Sequence, residues 1–327
     1  MLTSTSPNWA LVVRIVFGFL AFIGILLNGL VFWLLIHVKV GSNLTTILLR
    51  HQCLFDGLSC LIALISKITG PILLTWSRPF NVLLCHVWSR DSLFWLGAVL
   101  SMHNMVYISL DRLTATFFPT FYRFYRKSLL IGYYIYLTSA VCIIYVPVLF
   151  NRRFENETCL WYQAFDSDLM HPFYRIHGYI WILFKYALPA MFIMLAHILI
   201  LCMVFRRRPQ RCMEVQFKKL VWTTVMLSSS STILHLPDAG SYASHQIGTS
   251  QYDAGGISHQ LRLLCITVCY CINPSILLGM TTVLQDSAKE RLLRCRKCRK
   301  YGASTDQAIG DIENPGSLVQ QPVTHTR

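Results

Sequence analysis

An acidic residue, Asp56, stands inside a long apolar stretch of this sequence. An ionised carboxylate in apolar surroundings is costly unless it has a proton, a cation or polar neighbours. If the apolar stretches pack as antiparallel helices in chain order, Asn28, Ser101 and Asn273 lie at a comparable depth. These residue types predict either a hydrogen-bonded polar cluster that fixes helix packing or a sodium ion held by oxygen ligands.

Cationic residues follow at regular spacing from this cluster. Lys67 lies eleven residues after Asp56, and Arg90 lies eleven residues before Ser101. Eleven residues are three helical turns, about 16 Å, on nearly the same helix face. Together with Lys185, these residues predict a cup of positive charge that attracts an acidic ligand. In the alternative, Arg90 pairs with nearby carboxylates and the lysines extend to solvent. The candidate pocket residues are Lys67, Arg90, Asp91, Phe94, Lys185 and His235.

The sequence contains few residues in the arrangements that catalytic sites use. Its 11 histidines are scattered without a metal-binding spacing. It has no Gly-rich phosphate loop and no serine in a Gly-x-Ser-x-Gly setting. We therefore expect a protein that is not an enzyme and that uses no catalytic metal.

The elements that position these residues are apolar stretches of membrane-spanning length. The chain is 54% hydrophobic and 13% charged, with a mean hydropathy of +0.48, which leaves too little polar material to coat a soluble globule. Four stretches lack charge and approach or exceed the roughly 20 residues that cross a bilayer, namely 15–36, 92–110, 128–150 and 263–284. Three more are interrupted by polar residues, namely 44–68, 176–205 and 220–237. We predict an all-α integral membrane protein, a bundle of seven transmembrane helices in which the sixth span has the weakest signal.

Basic residues indicate the orientation of this bundle. One side collects Lys39, Arg50, Arg123, Arg126, Lys127, the block Arg206, Arg207, Arg208, Arg211, Lys218 and Lys219, and the tail 289–300. The opposite loops hold Arg78, Arg152 and Arg153. Because positive charge marks the cytoplasmic side, we expect the N-terminus outside and the tail inside. The net charge of +14 is then a membrane signature, and nucleic acid is not an expected partner.

The predicted organisation has four parts. Residues 1–9 form an extracellular N-terminus, 10–283 the seven-helix domain, 284–299 a short amphipathic helix on the membrane surface, and 300–327 a disordered cytoplasmic tail. The first span is too long for the apolar region of a cleaved signal peptide, so we expect an uncleaved anchor. Cys295 and Cys298 are candidate palmitoylation sites, the alternative being two free thiols.

Two of the 12 cysteines, Cys85 and Cys159, fall on the outer side of the predicted topology. A disulfide between them would pin the loop after the fourth span over the mouth of the bundle. The alternative is a pair of free thiols, which oxidising conditions disfavour. Asn156 begins an Asn-x-Thr glycosylation sequon in the same loop, where a nearby disulfide would hinder modification.

Asp111-Arg112-Leu113 ends the third span with adjacent opposite charges, which alone fit an interfacial pair that extends to solvent. In order along the chain, however, a set of residues resembles the signature positions of rhodopsin-like G-protein-coupled receptors. The set is Asn28, Asp56, Asp111, Arg112, Pro189, Pro237, Asn273 and Pro274. The resemblance covers roughly residues 11–298 and includes the Cys85–Cys159 bridge. The sequence departs from the family at Leu113, His197, His235 and Leu277, and its fourth span lacks the usual Trp.

This resemblance implies a plasma-membrane receptor that binds an extracellular ligand, a peptide or an acidic small molecule, and activates a heterotrimeric G protein. Arrestin is a further implied partner. The implied coupling residues are Asp111, Arg112, Arg206, Lys218 and Lys219, and the implied helix kinks are Pro189, Pro237 and Pro274. The seventh span has no lysine for a retinal Schiff base, and Phe94 replaces the Asp of amine receptors. The alternative function is a transporter or channel that uses Asp56, Lys67 and Lys185 as a path.

Overall fold

The computed structural model describes residues 7–70, 75–150, 152–161, 171–206, 213–249 and 256–291. The chain divides into two compact units, Met1–Leu284 and Gln285–Arg327. Of the second unit, the structure describes 285–291, which are helical. Cys295, Cys298 and the predicted tail 300–327 lie outside the described residues.

Helices dominate the first unit. They are α1 (Pro7–His37), α2 (Asn43–Thr69), α3 (Arg78–Val87), α4 (Ser92–Phe117), α5 (Pro119–Phe124), α6 (Arg126–Ala140), α7 (Val146–Phe150), α8 (His171–Trp181), α9 (Leu188–Arg206), α10 (Met213–Gln246) and α11 (Ile257–Met280). A further helix, α12, covers 282–291. A π-helical turn, Val141–Tyr145, joins α6 to α7, and another, Ile182–Ala187, joins α8 to α9.

Large apolar side chains cover both the inside and the outside of this bundle. The interior holds Phe17, Phe94 and Tyr270, all almost fully buried. The outer faces expose equally apolar residues such as Phe19 and Ile198. A soluble protein rarely exposes so much continuous apolar surface, whereas hydrocarbon lipid solvates it.

Six of the described helical segments are long and apolar enough to cross a membrane, which indicates a helical membrane protein. They are Leu11–His37, Asn43–Thr69, Arg78–Phe117, Arg126–Phe150, Arg175–Val204 and Ile257–Met280. Helix α10 is not among them because serine and threonine lower its hydropathy. Its hydroxyls bond back to carbonyls of the same helix, for example Ser228 to Thr224 at 2.8 Å and Thr232 to Ser228 at 2.9 Å.

Four long helices, α1, α2, α4 and α11, pack together. Helix α1 lies against α2 and α11, α2 lies against α4, and α10 lies against α11. Helices α2 and α4 approach closely at Gly97, where an added Cβ would lie 1.9 Å from Ser59 Oγ. A side chain at Gly97 would require Ser59 to change its rotamer or the two helices to move apart.

The two π-helical turns each precede a proline by two residues. Leu188 N–H donates to the carbonyl of Leu183, five residues earlier, and Pro189 follows. Proline has no N–H and its ring collides with the carbonyl four residues before it, so a locally widened turn accommodates it. Pro237 and Pro274 lie inside α10 and α11. The wide turn before Pro189 contains Lys185, which points inward and is buried.

A β-hairpin, which the sequence did not predict, occupies the loop after α7. Strand β1 (Arg152–Glu155) pairs antiparallel with β2 (Thr158–Trp161). The turn residues Asn156 and Glu157 both have positive φ, as two-residue hairpin turns require. The predicted Cys85–Cys159 disulfide is confirmed, and it ties β2 to α3. Asn156 is exposed at the tip, so the disulfide does not cover the sequon.

Candidate functional site

Asp91 anchors one cluster of charged groups at the end of the bundle where α4 begins. It lies at the start of α4 in a left-handed conformation, with φ of 60°, which non-glycine residues adopt at an energetic cost. Its carboxylate accepts a hydrogen bond from Ser66 Oγ at 3.0 Å and lies 3.9 Å from Lys67 Nζ. His259 Nε2 is 3.8 Å from its other oxygen. Lys67 also donates to Gln260 Oε1 at 2.5 Å. These contacts join α2, α4 and α11 around one carboxylate.

Asp238 anchors a second cluster, on α10. Its Oδ2 lies 3.9 Å from Lys185 Nζ, and its Oδ1 lies 3.5 Å from Arg262 Nε. The Tyr186 hydroxyl accepts a hydrogen bond from Lys185 and donates one to Asp238. Lys185 is 0% exposed, so its ammonium does not extend to solvent. A buried carboxylate thus balances two cations from neighbouring helices.

Aromatic rings enclose Lys185 and separate the two clusters. Its Nζ lies 3.8 Å from the centroid of the Trp95 ring and 4.6 Å from that of Trp181. Such rings attract a cation through their negative faces, and the attraction is stronger away from water. The Trp95 ring also lies 6.2 Å from the His259 ring, which belongs to the Asp91 cluster. Trp95 therefore forms a shared wall between two charged groups.

Most of the predicted pocket residues lie in or beside this region. Lys67, Asp91 and Lys185 carry its charges, and Phe94 is buried next to Trp95. Arg90 lies in the 3₁₀ turn before α4, but its side chain is outside the part that the structure describes. His235 is buried, and its Nδ1–H donates to the Ser231 carbonyl at 2.8 Å within the same helix.

Asp238, Arg262 and His259 are functional candidates that the sequence argument missed. The predicted sixth span ended at Pro237 and the seventh began at Leu263, so each charge fell just outside the predicted membrane region. The helices in fact extend further, because α10 continues to Gln246 and α11 begins at Ile257. Opposite charges beside the ends of two consecutive spans were the signal that could have paired Asp238 with Arg262.

Asp56 lies in a fully buried hydrogen-bond network at the middle of the bundle. Its Oδ1 accepts from Ser101 Oγ at 2.6 Å and from Gln52 Nε2 at 2.9 Å. Its Oδ2 accepts from Asn273 Nδ2 at 2.8 Å. Asn104 extends the network by donating to Gln52 Oε1 at 2.8 Å. The carboxylate thereby links α2 to α4 and α11, as the polar-cluster hypothesis expects.

Asn28, predicted for the same cluster, makes different contacts. Its amide nitrogen donates to the carbonyls of Gly24 at 2.9 Å and Tyr270 at 2.8 Å, so it joins α1 to the backbone of α11. Gln52 takes its place beside the acid, and Asn104 bonds to Gln52. Gln52 is one helical turn before Asp56, a spacing that could have identified it from the sequence.

The polar groups around Asp56 hydrogen-bond to one another. A hard cation needs several oxygen lone pairs directed at it. Here the carboxylate faces N–H and O–H donors from Gln52, Ser101 and Asn273. Within the described residues, no group of three or more His, Cys, Asp or Glu side chains could hold a metal. The sodium ion stays a prediction from the sequence.

Asp111 and Arg112 form a buried ion pair near the C-terminal end of α4, and Thr45 of α2 joins it. We call this group of contacts the latch. Arg112 is 4% exposed and donates to Asp111 and to Thr45 of α2, with its Nε 3.0 Å from Asp111 Oδ2. The Tyr122 hydroxyl of α5 donates to Asp111 Oδ1 at 2.5 Å. Burial, followed by the negative charge of Asp111, raises the pKa of the Tyr122 phenol, which keeps it a donor. Ser42, the N-cap of α2, lies 2.5 Å from the same hydroxyl.

The other predicted coupling residues lie at the ends of α9 and α10. Arg206 is the last residue of α9 and is exposed, and Lys219 is exposed on α10. Lys218 lies in the same helix, but its side chain is outside the description. These cations do not contact the latch through any hydrogen bond or ion pair among the described residues.

Comparisons with protein families and with curated sequences identify no relative. No protein-family model matches the chain, and no curated protein matches its sequence. Function must therefore be inferred from the contacts themselves. The arrangement has three levels along the bundle: charged clusters at the end where α4 begins, a polar network at the middle, and the ion pair of Arg112 with Asp111 at the opposite end.

Proposed function

We propose that this chain is a receptor of the rhodopsin-like, G-protein-coupled kind, located in the plasma membrane with its N-terminus outside. The ligand enters at the Asp91 and Asp238 clusters, and a heterotrimeric G protein binds at the end that carries Arg112. Arrestin is a second cytoplasmic partner. The latch of Arg112 with Asp111 and Thr45 is the observation that carries this proposal, because breaking these contacts would free a cation at the end of the bundle where the G protein would bind.

The proposal requires α10 as a seventh span. Its 34 residues reach about 51 Å, more than the roughly 30 Å of hydrocarbon. Its serine and threonine hydroxyls are satisfied by carbonyls of the same helix, which lowers their cost in lipid. It packs against α11 and carries Asp238 toward the bundle interior. With the N-terminus outside, the hairpin lies outside and the Arg206 end inside, and α10 as a further span puts the end of α11 inside.

An acidic ligand fits the outer clusters best. Three cationic side chains, Lys67, Lys185 and Arg262, face two carboxylates among the described residues of these clusters. A ligand carboxylate would compete with Asp238 for its two cations. Trp95 and Trp181 offer apolar contact for the rest of such a ligand. A peptide with an acidic residue and an acidic metabolite both satisfy these requirements.

Movement of α10 connects the two ends. Asp238 follows Pro237, whose missing N–H leaves the Ile233 carbonyl without its helical partner and permits a bend. A ligand that displaces Asp238 from its cations frees the outer part of α10 to shift. Opening of the far end would then release Arg112 to the G protein.

Guanine-nucleotide exchange on a panel of purified heterotrimeric G proteins, in reconstituted membranes, tests this function. Asp111→Asn should raise basal exchange by at least about fivefold, the lower end of typical coupling energies, because it weakens the latch. Arg112→Ala should abolish exchange. Arg153→Ala, which removes an exposed cation from the hairpin, should leave exchange unchanged.

Exchange at background level in both the wild type and Asp111→Asn would refute the receptor. Ion or substrate flux in the same membranes would instead favour the transporter or channel. Such a path would have to pass the buried rings of Phe94 and Tyr270, whose centroids are 5.9 Å apart and which lie between the outer clusters and Asp56 along their helices.

A further inference from the structure

A cavity lies away from the proposed ligand entrance. It is formed by α4, by α6 with the π-helical turn that follows it, and by α9 with the π-helical turn that precedes it. Its volume is about 510 Å³, within the range of small-molecule sites. Apolar side chains such as Val106, Ile143 and Phe184 form most of its wall. Ile143 is 51% exposed at the outer surface of the bundle, so the cavity opens toward lipid.

His103 places one unsatisfied polar atom in this apolar wall. It is 4% exposed, and its Nδ1 lies 2.7 Å from the Tyr136 hydroxyl. Its Nε2 makes no hydrogen bond of ordinary geometry among the described residues, and the Phe184 backbone in the cavity wall offers the imidazole only a weak contact. The other polar groups of the wall are satisfied, because Tyr107 donates to the Leu129 carbonyl at 2.6 Å and Ser139 to the Ile135 carbonyl at 2.8 Å. A buried polar atom without a partner favours any molecule that supplies one.

The chemistry of His103 favours a hydroxyl group. A neutral imidazole has one N–H. If the Tyr136 hydroxyl donates to Nδ1, Nε2 carries the hydrogen and is a donor, and if the hydroxyl accepts from Nδ1, Nε2 is an acceptor. A hydroxyl can accept and donate, so it satisfies Nε2 in either case. The residues that line the cavity carry no Asp, Glu, Lys or Arg, so a charged ligand would be buried without a counterion.

Depth in the membrane limits the ligand further. His103 lies about 17 Å from the first residue of α4 and about 21 Å from the last, near the middle of the span. A phospholipid headgroup remains at the interface, about 15 Å from the bilayer centre. We infer that this cavity binds an uncharged, lipid-soluble alcohol that enters from the bilayer and hydrogen-bonds to His103 Nε2.

Photo-crosslinking of the full chain in lipid nanodiscs tests this inference independently of any signalling function. The probe is a diazirine-bearing analogue of farnesol, and the competitors are farnesol and the matching hydrocarbon without the hydroxyl. We expect labelling of α4 and α9, with farnesol competing about tenfold better than the hydrocarbon, the factor that one hydrogen bond contributes. Equal competition by the two molecules would overturn the inference.

Three variants locate the site. Ile143→Trp fills the mouth of the cavity from the lipid side and should reduce labelling about tenfold, since the pocket volume is lost. Ile135, which is 63% exposed, faces lipid on α6 and does not line the cavity. Ile135→Trp adds the same ring there and should not change labelling. His103→Leu should make farnesol and the hydrocarbon compete equally. Undiminished labelling in Ile143→Trp would place the probe elsewhere and refute the site.

Discussion

Replacing Asp238 with asparagine tests whether one buried carboxylate holds two cations in the bundle. The carboxylate lies 3.9 Å from Lys185 Nζ and 3.5 Å from Arg262 Nε. At an effective dielectric constant of about 20, each attraction is about 4–5 kcal/mol. Removing the carboxylate also removes its own desolvation cost, so the net loss should be about 3–5 kcal/mol of unfolding free energy, as for other broken buried pairs.

Lys185→Met should cost much less than Asp238→Asn. Methionine fills similar space against Trp95, and Asp238 keeps Arg262 as its partner. The expected loss is about 2 kcal/mol, the contribution of a desolvated cation–aromatic contact. Glu155→Gln is the control, because it breaks an exposed pair with Arg153 and should cost less than about 1 kcal/mol.

Buried cysteines provide the assay. Cys53, Cys60 and Cys269 are buried and free, so they react with a thiol-specific fluorescent dye when the bundle unfolds. Replacing the exposed Cys142 and Cys202 with serine lowers the background. Denaturant titrations of the purified variants in detergent then give the differences in unfolding free energy. Equal losses for Asp238→Asn and Lys185→Met would refute the shared-counterion argument, as would a loss below about 1 kcal/mol for Asp238→Asn.

Three further predictions concern packing, the central network and the outer loop. Gly97→Ala should lower the unfolding free energy by about 1–3 kcal/mol, the cost of overpacking, and Ser59→Gly should restore most of it; additive losses in a double-mutant cycle would contradict the close approach. Asp56→Asn should destabilise the bundle by about 1–3 kcal/mol, because an amide N–H₂ would face the donors that now meet a carboxylate; an unchanged denaturation midpoint would count against the network. Cys85→Ser should lower the unfolding free energy by about 2–5 kcal/mol and match the effect of Cys159→Ser, whereas different effects of the two variants would argue against the bridge as the cause.

Sequence properties predicted six of the described membrane-spanning segments, the disulfide and part of the central network. Hydropathy over about 20 residues reports whether a segment tolerates lipid, and this depends on composition rather than on neighbours. The contacts of Asp56 with Ser101 and Asn273 followed from depth along packed helices. The weak signal of the sixth span had a local cause as well, since serine and threonine lower the hydropathy of α10.

Tertiary structure alone decided the partners of the charges. Apolar runs end at the first charge, so the sequence cannot distinguish a loop residue from a charge buried inside a longer helix. Asp238 and Arg262 are interior because α10 and α11 continue past the apolar run and face each other. Lys185 is buried because a widened turn before Pro189 turns it toward Trp95 rather than lipid. Pairing depends on distances between side chains far apart in the chain, whereas hydropathy and helix formation depend on residues that are neighbours in it.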